Sequence, residues 1–95
     1  MRIEGVIWLR DIEDKLAIKH HVDTEEVEDV LAGGAQFRLV EKGRRKGENV
    51  YLALGRTRAG RYLAVLFIYK KTREALILSA RDMAPKERKY YGKHA

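Results

Sequence analysis

Lys19 and His20, adjacent in the chain, and Arg81, far downstream, carry the side chains best suited to chemistry at a phosphate. An imidazole titrates near pH ~6.5, so His20 can accept or return a proton at working pH. A neighbouring ammonium such as Lys19 lowers that proton affinity and adds positive charge. The planar guanidinium of Arg81 suits bidentate capture of a phosphate and of the charge that develops on it. Arg56, Arg58 and Arg61 crowd around one short turn, where they suit the tracking of a phosphate backbone. Each of these residues also has a plainer role open to it. His20 can cap or pack at the end of a helix, Arg81 can pair with an acid of the first two helices, and exposed arginines can simply keep a surface soluble. Glu87 stands three residues after Ala84 with Pro85 between. That spacing suits a carboxylate bonding back to a free amide at a helix start better than it suits a general base. Tyr90 and Tyr91 suit either stacking on a base or packing on a sheet, and Trp8 reads as a core anchor. His21 and His94 are weaker candidates for proton transfer.

These residues must be held by secondary structure, and the apolar periodicity says which kind. Gly5–Trp8 reads as a short first strand, followed by an amphipathic stretch with Ile12, Leu16 and Lys19 or His20 on one stripe. Asp23 precedes Glu26 by three residues, the spacing of a capping box. Val27, Val30 and Leu31 then line one side of a second helix, until Gly33-Gly34 ends it. From Ala35 the pattern becomes extended: Phe37 and Leu39, then Val50 to Leu54, separated by the polar loop Glu41 to Glu48. Ala59-Gly60 reads as the tip of a hairpin. Tyr62 to Tyr69 is apolar on both alternating faces, as a central strand covered on each side should be. Ala75 to Ala80 makes the last strand, with Arg81 directly after it, and Pro85 sets the first turn of a final helix toward Tyr90 and Tyr91. The expected fold class is α+β, in the order β-α-α-β-β-β-β-α, with 95 residues forming one domain over 1–95.

Charge is unevenly distributed along this chain. Residues 1–41 hold five basic and ten acidic side chains, net −5, whereas residues 42–95 hold fifteen basic and four acidic ones, net +11. A polyanion is drawn to surface built from the second part, and nucleic acid is the obvious polyanion. Cysteine is absent, which removes disulfides, thiolate zinc sites and cysteine nucleophiles together and fits a reducing compartment. The longest apolar run, eight residues, falls short of a membrane-spanning helix, and the start of the chain lacks a secretory pattern, so the cytoplasm is the expected location. No Gly-rich phosphate loop, His-x-x-x-His pair or serine nucleophile motif is present, and nothing in the pattern asks for a cofactor or metal.

Two blocks of residues resemble a known family. Trp8, then Lys19-His20, Val22 and Glu25-Glu26, is similar to the opening pattern of BrnT-like toxins from bacterial toxin–antitoxin pairs, within the wider RelE-like group. Gly55-Arg56, Gly60-Arg61, Ser79-Ala80-Arg81, Glu87-Arg88 and Tyr91 are similar to that family's closing signature. The resemblance implies an antiparallel sheet packed by helices and RNA cleavage as the toxic activity. It also implies a ribbon-helix-helix antitoxin, BrnA-like, as partner, in a homodimer or a toxin–antitoxin hetero-oligomer. With RNA as substrate, metal-independent attack by the 2′-hydroxyl assigns catalysis to His20, Arg81 and Lys19 and RNA contacts to Arg56, Arg58, Arg61, Arg88 and Tyr91. Leu9, Ile12, Leu16, His21, Leu76 and Ala84 depart from the family's usual residues, His21 standing where Gly is expected. These departures keep a second reading open, a toxin-fold binding module that pairs with an antitoxin-like protein or nucleic acid and turns nothing over.

Overall fold

The computed structural model describes residues 1–94; Ala95 and the side chain of His94 lie outside the described residues. Strand β1 (Gly5–Ile7) leads into helix α1 (Arg10–Lys15), which widens without a break into one π-helical turn, Leu16–His20. Helix α2 (Thr24–Ala32) follows, then β2 (Gln36–Glu41), β3 (Val50–Arg56), β4 (Tyr62–Tyr69), β5 (Glu74–Asp82) and α3 (Pro85–His94). The five strands form one sheet in the order β1-β5-β4-β3-β2.

Local signals account for most of these boundaries. Asp23 accepts the Glu26 amide at 2.9 Å while Glu26 accepts the Asp23 amide at 3.2 Å, so the capping box starts α2. At the β3–β4 hairpin the Gly60 amide donates to the Thr57 carbonyl, and Gly60 takes a φ of +95° that disfavours other residues. Ahead of α3, the Ala84 amide donates to Glu87 Oε1 at 2.8 Å, the bond anticipated from their spacing. Two expectations need correction. The sheet is mixed rather than wholly antiparallel, because β1 pairs parallel to β5, Gly5 to Glu74 and Ile7 to Leu76. Periodicity marks a segment as extended but carries no information about the direction of a partner almost seventy residues away. Arg81, expected just past the last strand, lies inside β5 and pairs with Ala64. The ladder continues one residue further, to Asp82 opposite Leu63.

The sheet divides the molecule into two layers. On one face the π turn and α2 bring Leu16, Val22, Val27, Val30 and Leu31 onto Ala53, Leu63, Val65, Phe67, Ala75, Ile77 and Ala80. Phe67 is fully buried between the ring of Tyr51, stacked at 6.0 Å, and that of Phe37, edge-on at 6.0 Å. Trp8 packs at the margin of this core and donates to Glu28. On the other face a smaller cluster, Leu52, Leu54, Ala64 and Met83, is closed by Tyr62, Leu66 and Tyr91. β4 is the middle strand, which explains why its apolar residues run without alternation.

Candidate functional site

The residues singled out from the sequence gather at one end of the sheet, where the β3–β4 hairpin, the end of β5, the π turn and α3 meet. The sheet then separates them onto two sides.

On the α2 side the centre is Arg61. Its Nε–H donates to Asp82 Oδ1 at 2.8 Å, and Nη1 reaches the His21 carbonyl at 2.7 Å and both carboxylate oxygens of Glu26 at 3.1 and 3.2 Å. Nη2 reaches the His20 carbonyl at 3.0 Å and Asp82 Oδ2 at 3.4 Å. A guanidinium has five N–H donors, and here every one has an acceptor within the protein. Hydrogen bonding to Asp82 and then to Glu26 raises the Arg61 pKa against the opposing effect of burial. The same bond from Arg61, with its charge and that of His20 adding, holds the Asp82 carboxyl below the usual range. Arg61 therefore fixes the carbonyls of two consecutive residues, and the second of them, His21, sits in the left-handed region at φ 52°. A non-glycine residue in that conformation is strained, and the π turn before it is itself a costly insertion that recurs at functional sites. The outcome is that His20 ends the π turn half-buried, with Lys19 exposed beside it. Lys19 makes no ion pair among the described residues.

On the α3 side Arg81 forms a bidentate pair with Glu87, Nη1 to Oε1 at 2.6 Å and Nη2 to Oε2 at 2.9 Å. Nη1 also reaches the Asp82 carbonyl at 3.2 Å, and Nε–H has no protein acceptor among the described residues. The partner of Arg81 is thus an acid of the last helix rather than of the first two. Hydrogen bonding to Glu87 raises the Arg81 pKa, and the reciprocal bond, helped by the Ala84 amide, lowers that of Glu87. Beside this pair two guanidiniums lie over the ring of Tyr62: Arg56 at 4.7 Å and Arg88 at 3.9 Å from its centroid. Tyr91 meets the same ring edge-on at 6.0 Å. Arg56 and Tyr62 are cross-strand partners, so the hairpin register itself makes the first of these contacts. Tyr62, like Asp82, escaped the sequence reading as a site residue. The signal that would have found it is its place directly opposite Arg56 in a hairpin closed by Ala59-Gly60.

Arg58 is set apart from the other arginines. Its amide donates to Asp29 at 3.1 Å and its 93% exposed side chain approaches the same carboxylate at 3.7 Å. The groove it borders is lined by Asp23, Glu25, Glu26, Glu28 and Asp29, surface that repels a polyanion. Among the described residues no three His, Asp or Glu side chains come together as metal ligands would, and no helix is long and apolar enough to cross a membrane.

The hairpin end of the sheet thus carries a histidine held on a strained turn on its α2 side and a patch of arginines and tyrosines on its α3 side. No curated protein matches the chain significantly. A family model described as a ribonuclease toxin, BrnT, of type II toxin–antitoxin systems matches residues 8–87, which takes in every site residue named above except Arg88 and Tyr91. That match runs from the Trp8 anchor to the Glu87 that caps α3 and holds Arg81, and with it the chain belongs to the BrnT family of type II ribonuclease toxins.

Proposed function

We propose that the chain is a metal-independent endoribonuclease whose substrate strand lies across the hairpin end of the sheet, a site of the RelE-like kind. The observation that carries this reading is the gathering of Arg56, Arg88, Tyr62 and Tyr91 beside Arg81, a cationic and aromatic surface suited to phosphate and base at once. His20 takes the proton of the ribose 2′-hydroxyl as that oxygen attacks the adjacent phosphorus. The 5′-oxygen leaves and receives a proton, giving a 2′,3′-cyclic phosphate and a 5′-hydroxyl end. At the edge of β5, beyond its pairing with β1, Arg81 reaches round from the α3 side to stabilise the charge on the pentavalent phosphate through its Nε–H, with Glu87 fixing the guanidinium plane. Lys19, exposed beside His20, adds positive charge for the phosphate. Arg61, whose donors all face the protein, contributes by holding the His20 carbonyl. A ribbon-helix-helix antitoxin of the BrnA kind restrains this activity in the cytoplasm by forming a hetero-oligomer with the toxin.

The engagement of Arg81 by Glu87 also favours a second reading, a toxin fold that binds RNA or antitoxin without turnover. One experiment separates the two. The purified chain, incubated with single-stranded RNA in EDTA, should yield cyclic-phosphate ends, and His20→Ala and Arg81→Ala should each slow cleavage by about 100-fold or more. Binding without cleavage supports the second reading. Cleavage abolished by EDTA overturns the mechanism, and unchanged rates in both variants overturn the site.

A further inference from the structure

α3 covers only part of its face of the sheet. Its cluster takes in Leu52, Leu54 and Ala64 next to the hairpin, with Leu66 at its margin. Beyond that margin four strands place one apolar side chain each in a single row: Ile7, Leu76, Ile68 and Val50 are successive cross-strand partners from β1 to β3. All four are only half-buried, and none belongs to or packs against either core cluster. The row spans about 14 Å across the strands and lies about 20 Å along β4 from Tyr62.

The loops at this end adjoin the row directly. Lys42, Arg44, Arg45 and Lys46 lead into Val50, and Lys70 and Lys71 follow Ile68. The two loops touch, since a Cβ at Gly47 would lie 2.9 Å from the Lys71 amide nitrogen. None of these six cations makes an ion pair among the described residues. A half-buried apolar strip whose strands run out into loops of unpaired cations is the complement of an amphipathic helix with an acidic polar face. The geometry is already realised once on the same face, where α3 lies over the neighbouring half.

We infer that this half of the sheet docks an acidic amphipathic helix of a partner protein, with apolar residues spaced i, i+3, i+4, i+7 on the Ile7–Val50 row and carboxylates facing the two basic loops. It rests on the toxin reading only in naming the antitoxin as the protein that supplies the helix. RNA matches the cations but has no use for the apolar row. A second copy of this chain would bring these loops against its own basic loops, or against Lys86, Arg88 and Lys89 of α3.

The test uses the full chain and a fluorescent eighteen-residue peptide with leucines at i, i+3, i+4, i+7 and glutamates elsewhere. A peptide with lysine for every glutamate serves as control, and a single-stranded RNA oligonucleotide as competitor. The acidic peptide should bind and the basic one should not. Amide NMR shifts should concentrate at Ile7, Val50, Ile68 and Leu76. The charge reversal Lys70→Glu with Lys71→Glu and the row substitution Leu76→Ser should each weaken binding by about 10-fold, with RNA cleavage unchanged in both. Peptide binding that ignores both changes overturns the proposal. So does RNA that displaces the peptide while shifting the row, and so does self-association that Leu76→Ser abolishes. A parent chain that binds the peptide but cleaves no RNA would count against the nuclease reading alone.

Discussion

The two ends of the sheet use their positive charge in opposite ways. At the hairpin end Arg61, Arg81 and Arg58 are each tied to a carboxylate, and Arg56 and Arg88 lie over one tyrosine ring. At the other end Lys42, Arg44, Arg45, Lys46, Lys70 and Lys71 have no ion-pair partner among the described residues. Cations with fixed internal partners hold geometry, here a strained turn carrying His20 and the plane of a guanidinium at a strand end. Cations without them keep their charge for something outside the chain. The net charge of the second half, read as one quantity, conceals this difference.

The contrast is most directly broken at Arg61. Arg61→Ala leaves the half-buried Glu26 carboxylate and His20 carbonyl, and the exposed His21 carbonyl, short of donors, and should destabilise the chain by about 2–3 kcal/mol, read as a drop in thermal or urea midpoint. A loss no larger than that of a loop lysine would erase the distinction between the ends. Next in size is a backbone effect where the two basic loops touch. Gly47 has φ +80°, and a Cβ there meets backbone at 2.9 Å, so Gly47→Ala should lower stability by about 1–2 kcal/mol and, with it, binding of the acidic peptide. At the hairpin end the opposite sign is expected from His21→Gly. Removing a side chain from φ 52° should raise stability by about 0.5–1 kcal/mol, read as a higher urea midpoint.

Acid titration sharpens the same comparison more gently. Asp82 and Glu87 both have carboxyl pKa values lowered in the folded chain, by the bonds to Arg61 and Arg81 respectively. A lowered folded pKa means stability that is complete above the ordinary carboxylate range and lost as pH falls through the depressed values. The urea midpoint should therefore decline below pH ~4, and Arg81→Ala should flatten that decline. A variant curve parallel to the parent's would show that the pair adds nothing. Smallest of all, Lys70→Ala and Arg45→Ala should leave stability within about 0.5 kcal/mol of the parent, measured the same way.

Much of the architecture is legible from short stretches. The Asp23–Glu26 box, the Ala59-Gly60 turn, the apolar run Tyr62–Tyr69, Pro85 and the Ala84–Glu87 bond all stand in the structure where spacing places them. The family's opening pattern even carries a hint of strain, since His21 stands at the left-handed position where Gly is expected. Partners of the site residues are another matter. Arg81 and Glu87 are six residues apart, yet only the course of the chain around Pro85 turns them toward each other. Asp82 and Tyr62 carry no motif, and both join the site through strand register.

Periodicity, caps and turn residues act within a few positions of one another, so composition and order alone settle which segments become helix or strand, and that the second half is cationic. Arg61 meets carbonyls forty and forty-one positions earlier in the chain, and Ile7 meets Leu76 across almost the whole fold. Which charges find carboxylates, which side of the sheet each faces and which apolar row is left uncovered depend on those distant pairings. They are decided only when the strands lock into register, because a shift of one residue would move every side chain of a strand to the opposite layer.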